Sequence, residues 1–200
     1  MIEQLINGYA SALNDVIRDS GFPAPNTVFS VHDIVLPEGT PLPSVDVAPE
    51  MEPIEIYADD NVRVRAILVD HQPNYPAYAF EFITPAGTIV ISGDTAITDN
   101  LLKIAENADI LVNEVISLDW LDSFIPEPRD DKSQALYEHI RASHTSVEEI
   151  GPIAEQLGVK NLVLYHFAPP TFTEQQWRDS VHGYTGNLVV GMPLTEVTLQ

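Results

Sequence analysis

The sequence predicts an α/β layered domain, and three observations carry that expectation. β-branched runs at 62–69, 77–83 and 88–92 crowd together after residue 61, the last two joined by Thr84-Pro85-Ala86-Gly87, a hairpin connection. Beyond residue 99, helix-like and strand-like segments alternate, which is the pattern of helices packed on a sheet. The 200 residues are 44% hydrophobic with mean hydropathy near zero, sufficient for one domain with its own core.

Taken in order, Ile2, Leu5, Ile6, Tyr9, Leu13, Val16 and Ile17 recur at helical spacing over 2–18, and Gly21, Pro23 and Pro25 stop the pattern. A helix opening at the first residue is expected where a chain begins partway into a larger fold. Residues 22–60 hold seven prolines, and no basic residue lies between Arg18 and Arg63. This stretch reads as a solvated connection around one strand at 28–34, with a Pro- and acid-rich loop at 37–60. The remaining elements read as a helix at 99–107, a strand at 110–112, helices at 133–141 and 146–157, and a strand at 161–165. A helix at 173–181 and strands at 188–190 and 194–199 complete the expected single domain of 1–200. Ser146 and Glu149 have the Ser-x-x-Glu spacing of a capping box.

The charge is strongly one-sided: 30 acidic against 9 basic residues, net −21. Such a field repels phosphate backbones and anionic lipid and offers little counterion release, so neither nucleic acid nor membrane is an expected partner. Zero cysteines exclude disulfide scaffolds, thiolate zinc sites and thiol nucleophiles, leaving His, Asp and Glu to hold any metal. No window approaches 18 consecutive apolar residues and the start lacks a basic region, so a cytoplasmic location is the default.

Three expected strand ends carry donors suited to zinc or manganese: His71 after Val69-Asp70, Asp94 in Ser92-Gly93-Asp94-Thr95, and His166 after Leu164-Tyr165. Strand ends deliver side chains to the cleft beyond a sheet. His144 stands just before a helix, where a protonated imidazole meets developing negative charge. His32 reads as structural, and His139 and His182 as helix-surface residues.

These segments, with the hairpin strand 78–83, Ile110-Leu111-Val112-Asn113-Glu114 and Ser143-His144-Thr145-Ser146, resemble in order and spacing the metallo-β-lactamase-fold hydrolases, within them the arylsulfatase-like and RNase Z-like branch. The resemblance implies an αββα sandwich with a site for two zinc ions, or manganese. In it His71 is a ligand of one metal, Asp94 the bridging carboxylate and His166 the last His ligand of the other. Asp94 and His144 are its catalytic residues, His144 stabilising the transition state, and Glu114 orients a neighbouring His; Asn113 stands where the family usually has His. The family's H-x-H-x-D-H motif does not occur in these 200 residues. The resemblance therefore covers a C-terminal two-thirds, an N-terminally incomplete fold in which metal binding is expected to be weak or absent and the chain inactive.

Only 23 positions separate His71 from Asp94, where RNase Z-like enzymes commonly carry a long insertion. With the charge, this favours an arylsulfatase-like hydrolase of a small ester, attacked by metal-bound hydroxide, over an RNase Z-like phosphodiesterase. The alternative is a non-catalytic remnant or oligomeric binding module, and an apolar sheet face left open makes a homo-oligomer the expected state.

Overall fold

The computed structural model describes residues 2–199 in two units, Met1–Pro37 and Glu38–Gln200. The first holds α1 (Ile2–Gly8), α2 (Ala10–Ser20) and α3 (Pro25–Val28). Gly21 ends α2 in the left-handed region at φ +68°, its N–H bonded to the Ile17 carbonyl, as its position in the sequence predicts. The strand expected at 28–34 does not form. Pro25 opens a short helix instead, and Phe29, Val31 and Val35 remain exposed.

In the second unit the order is β1 (Ile54–Ala58), β2 (Arg63–His71), β3 (Asn74–Thr84), β4 (Gly87–Ile91), α4 (Asp99–Ala105), β5 (Ile110–Ile116), α5 (Leu118–Phe124), α6 (Asp131–Ser143), α7 (Val147–Gln156), β6 (Asn161–Ala168), α8 (Glu174–Ser180) and β7 (Asn187–Val190). The strands form one seven-stranded sheet in sequence order. Pairs from β1 to β4 are antiparallel and those from β4 to β7 parallel. Strands β2, β4, β5, β6 and β7 therefore run the same way, and their C-terminal ends gather along one rim. The α/β class expected from the sequence is the one observed.

One face of the sheet, with Ile67, Val69, Ala79, Val90, Leu111, Leu162 and Leu164, packs on Leu101 and Ile104 of α4, Val147, Ile150 and Ala154 of α7, and Trp177 of α8. Trp177 stacks on Phe167 with ring centroids 5.1 Å apart. Burial of each large apolar side chain here contributes about 1.5–3 kcal/mol. A smaller cluster of Ile116, Leu121, Ile125 and Tyr137 joins α5 and α6 to the end of β5.

Several elements depart from expectation. β1 lies inside the region read as loop, and α5 was not anticipated. The strand expected at 194–199 is absent among the described residues, and Leu194 there is exposed. The Ser146 hydroxyl makes no helix cap and instead donates to Glu148 Oε2 at 2.7 Å; the capping box belongs to Thr173 and Gln176, at the start of α8. No helix among the described residues is long and apolar enough to cross a membrane.

Candidate functional site

The rim collects the four singled-out side chains on adjacent elements. His71 is the last residue of β2, where pairing with β3 slips between Val69 and His71. Asp94 lies in the turn after β4. This turn requires Gly93, which sits at φ +64° and whose missing Cβ would fall 2.5 Å from the Tyr78 carbonyl oxygen. His166 is in β6 at a bulge: Glu114 pairs with Tyr165 and Val115 with Phe167, which leaves His166 unpaired. Its backbone is left-handed at φ +46°. Bulges of this kind re-aim a side chain beside functional sites.

His144 follows α6 as its C-terminal cap, two residues before the Ser146 that precedes α7. The rings of His71 and His144 lie 5.0 Å apart edge to face, and those of His144 and His166 lie 6.3 Å apart. His166 Nε2 is 3.3 Å from Asp94 Oδ2. The structure thus brings His71, Asp94, His144 and His166 to one rim. His32, in the first unit, pairs with Ser30. His139 is exposed on α6 as read, whereas His182 falls beyond α8.

Glu114 organises this rim from below. It is 1% exposed, and its Oε1 accepts from His144 Nδ1 at 2.9 Å, from the Thr95 amide at 3.0 Å and from the Thr145 amide at 3.1 Å. Those two threonines are tied together by Thr145 Oγ1 donating to the Thr95 carbonyl at 2.8 Å. One carboxyl oxygen therefore fixes the turn after β4, the α6–α7 junction and the His144 ring. Glu114 Oε2 and Asn113 Oδ1, both buried, have no hydrogen-bond partner among the described residues. The Glu114 hydrogen bond raises the His144 pKa above its ordinary value against the opposing effect of partial burial, with the charges of Glu114 and Asp94 adding to the rise. Since Nδ1–H is spent on Glu114, Nε2 is the nitrogen left to exchange a proton with a ligand.

Histidine and aspartate suit zinc in kind. His71 also has the right form, because its Nδ1 bonds the Ser143 carbonyl oxygen at 3.0 Å and leaves Nε2 with its lone pair. Yet among the described residues no group of three or more His, Asp or Glu stands close enough to hold an ion. The residues present do not by themselves fit a zinc centre.

No family model matches the chain. Ribonuclease Z of Mycobacterium tuberculosis (strain H37Ra) is 33% identical over 141 residues, covering 69% of this chain and 49% of that protein. Ribonuclease Z of Mycobacterium sp. (strain KMS) is 32% identical over 144 residues, covering 71% and 47%. The chain spans about half the length of these curated relatives. Among solved structures, the metallo-β-lactamase fold protein YhfI of Bacillus subtilis gives a TM-score of 0.49 at 20% identity over 70% of this chain and 49% of that one. The short form of human tRNase Z gives 0.48 at 18% identity over 74% and 46%.

The relatives correct two expectations. They are named for ribonuclease Z and not for an arylsulfatase, which overturns the reading of a small-ester hydrolase with a small-molecule substrate. They also overturn the exclusion of nucleic acid as a partner. A net charge is a sum over the whole surface and does not say where single cations stand free. Arg63, Arg65, Lys103, Arg129, Lys160 and Arg178 are each paired with a carboxylate. Lys132 and Arg141, exposed on the helix that leads into His144, carry no ion pair among the described residues. The short link from His71 to Asp94 is filled by the β3–β4 hairpin. The chain is similar in sequence to ribonuclease Z over 141 residues and carries an α/β fold built on one seven-stranded sheet.

Proposed function

We propose that this chain acts on RNA as part of a ribonuclease Z-like phosphodiesterase, with His144 as the proton donor at the rim. The observation that carries the reading is the 33% identity to ribonuclease Z over 141 residues; the Glu114–His144 pair supplies its chemistry. A phosphodiester placed at the rim meets His144 Nε2, which donates to a phosphoryl or leaving oxygen while Glu114 holds the ring and stabilises its positive charge. His71, Asp94 and His166 are, on this reading, the donors this chain contributes toward a metal centre that they do not complete alone. A cytoplasmic setting accords with such a role.

Binding of a precursor tRNA, followed by fluorescence anisotropy over a salt series, tests the reading. Binding with a shallow salt slope is expected, because few cations are free to displace counterions. Binding of the same RNA is expected to weaken about 10-fold in His144→Ala when measured below about pH 6.5, where the imidazole carries its charge. Failure to bind the precursor at low salt, or binding insensitive to His144, overturns it.

A further inference from the structure

Ser143 closes α6, is fully buried, and directs both of its polar groups at the segment carrying His71. Its carbonyl oxygen lies 3.0 Å from His71 Nδ1. Its hydroxyl lies 2.8 Å from the carbonyl oxygen of Gln72, the next residue. The single proton of that hydroxyl is shared with the His139 carbonyl at 2.6 Å, and its lone pairs face His139 Nδ1 at 3.1 Å, in the last turn of α6. A carbonyl only accepts, so the proton of a neutral His71 ring must sit on Nδ1. The hydroxyl holds that carbonyl in place by bridging α6 to the loop immediately after the ring.

We propose that Ser143 is a positioning residue for His71, fixing the Nδ1–H tautomer so that Nε2 stands as a neutral lone-pair donor at the rim. This rests on the reading of His71 as a functional donor. Ordinarily an unanchored imidazole at a strand end rotates and shares its proton between both nitrogens. The Ser143 clamp removes both freedoms before any ligand arrives, so the ring presents one fixed nitrogen to the rim. Nothing in the residue types announces this, since the acceptor is a main-chain oxygen 72 positions away.

Long-range 1H–15N spectra of the imidazoles, recorded metal-free with chelator at alkaline pH, test it. The His71 signals are assigned by their loss in His71→Gln. The wild-type chain is expected to show the Nδ1–H pattern for His71. Ser143→Ala, with its fold checked by amide spectra, is expected to show an averaged pattern of both tautomers, and Ser143→Thr, which keeps the hydroxyl, to restore the single form. An Nε2–H pattern in the wild type overturns the proposal, and this spectrum decides even where Ser143→Ala fails to fold. An unchanged Nδ1–H pattern in a folded Ser143→Ala overturns the role of the hydroxyl. The spectra contain neither metal nor RNA, so a failed RNA assay counts against the phosphodiesterase reading and leaves this result standing.

Discussion

The two ends of the parallel strands are both polar, but they handle polarity in opposite ways. At the N-terminal end Asp109 takes Lys160 Nζ at 2.6 Å on one oxygen and the Thr88 amide at 2.8 Å on the other. Asn161 Nδ2 donates to the Asp109 carbonyl at 2.7 Å, and Asn187 Nδ2 to Asn161 Oδ1 at 2.9 Å. At the C-terminal rim one oxygen of Glu114 is engaged three times, while the other, and Asn113 Oδ1 beside it, has no partner among the described residues. The first end spreads its bonds over several side chains that close the sheet; the second concentrates three on a single carboxyl oxygen.

The sharpest way to break this contrast is Glu114→Ala. It strips the acceptor from two buried amides and an imidazole, and is expected to cost about 3–5 kcal/mol in urea unfolding. A loss under about 1 kcal/mol would show that the rim is no more dependent on Glu114 than a surface is on one carboxylate. Next in size is Gly93→Ala, whose methyl meets the Tyr78 carbonyl in a left-handed backbone position. About 2–3 kcal/mol is expected in the same measurement. Asp109→Asn at the opposite end is expected to cost less than about 1 kcal/mol, since Lys160 is 70% exposed and the pair is screened.

The smallest effects distinguish the ends by the sign of their pH dependence. His144 has a raised pKa, chiefly through the Glu114 hydrogen bond, so the folded chain holds its proton more tightly than the unfolded one. Its contribution is present in full below the unfolded value of about 6.5 and is lost as pH rises through the folded value. Asp109 has a lowered pKa, chiefly through Lys160 and then the Thr88 amide. Its contribution is present above the unfolded value of about 3.9 and is lost as pH falls through the folded one. Unfolding curves collected across pH should therefore lose the His144 term on the alkaline side in wild type but not in His144→Gln, and the Asp109 term on the acid side in wild type but not in Asp109→Asn.

What was legible in the sequence follows from which signals are local. His71, Asp94 and His166 were found because apolar runs end at them, and runs of β-branched residues are a short-range pattern. β1 was missed because four of its five residues are exposed, so no alternation marks it. α5 was missed because seven residues carry too little periodicity to register. Phe29, Val31 and Leu194 misled for the converse reason: an apolar residue signals a strand only where a sheet receives it. The grip of Glu114 on the Thr95 and Thr145 amides and that of Ser143 on His71 depend on main-chain atoms far away in sequence, and no residue type encodes them.

The bulge in β6 has an implication for how this rim survives change. His166 is the one residue of that strand that a regular ladder with β5 has no place for. Its removal would let Val115 meet the following Phe167 in unbroken register and would relieve a left-handed backbone at a non-glycine residue. A sheet regularised by deleting that one residue would therefore carry no imidazole at this point of the rim.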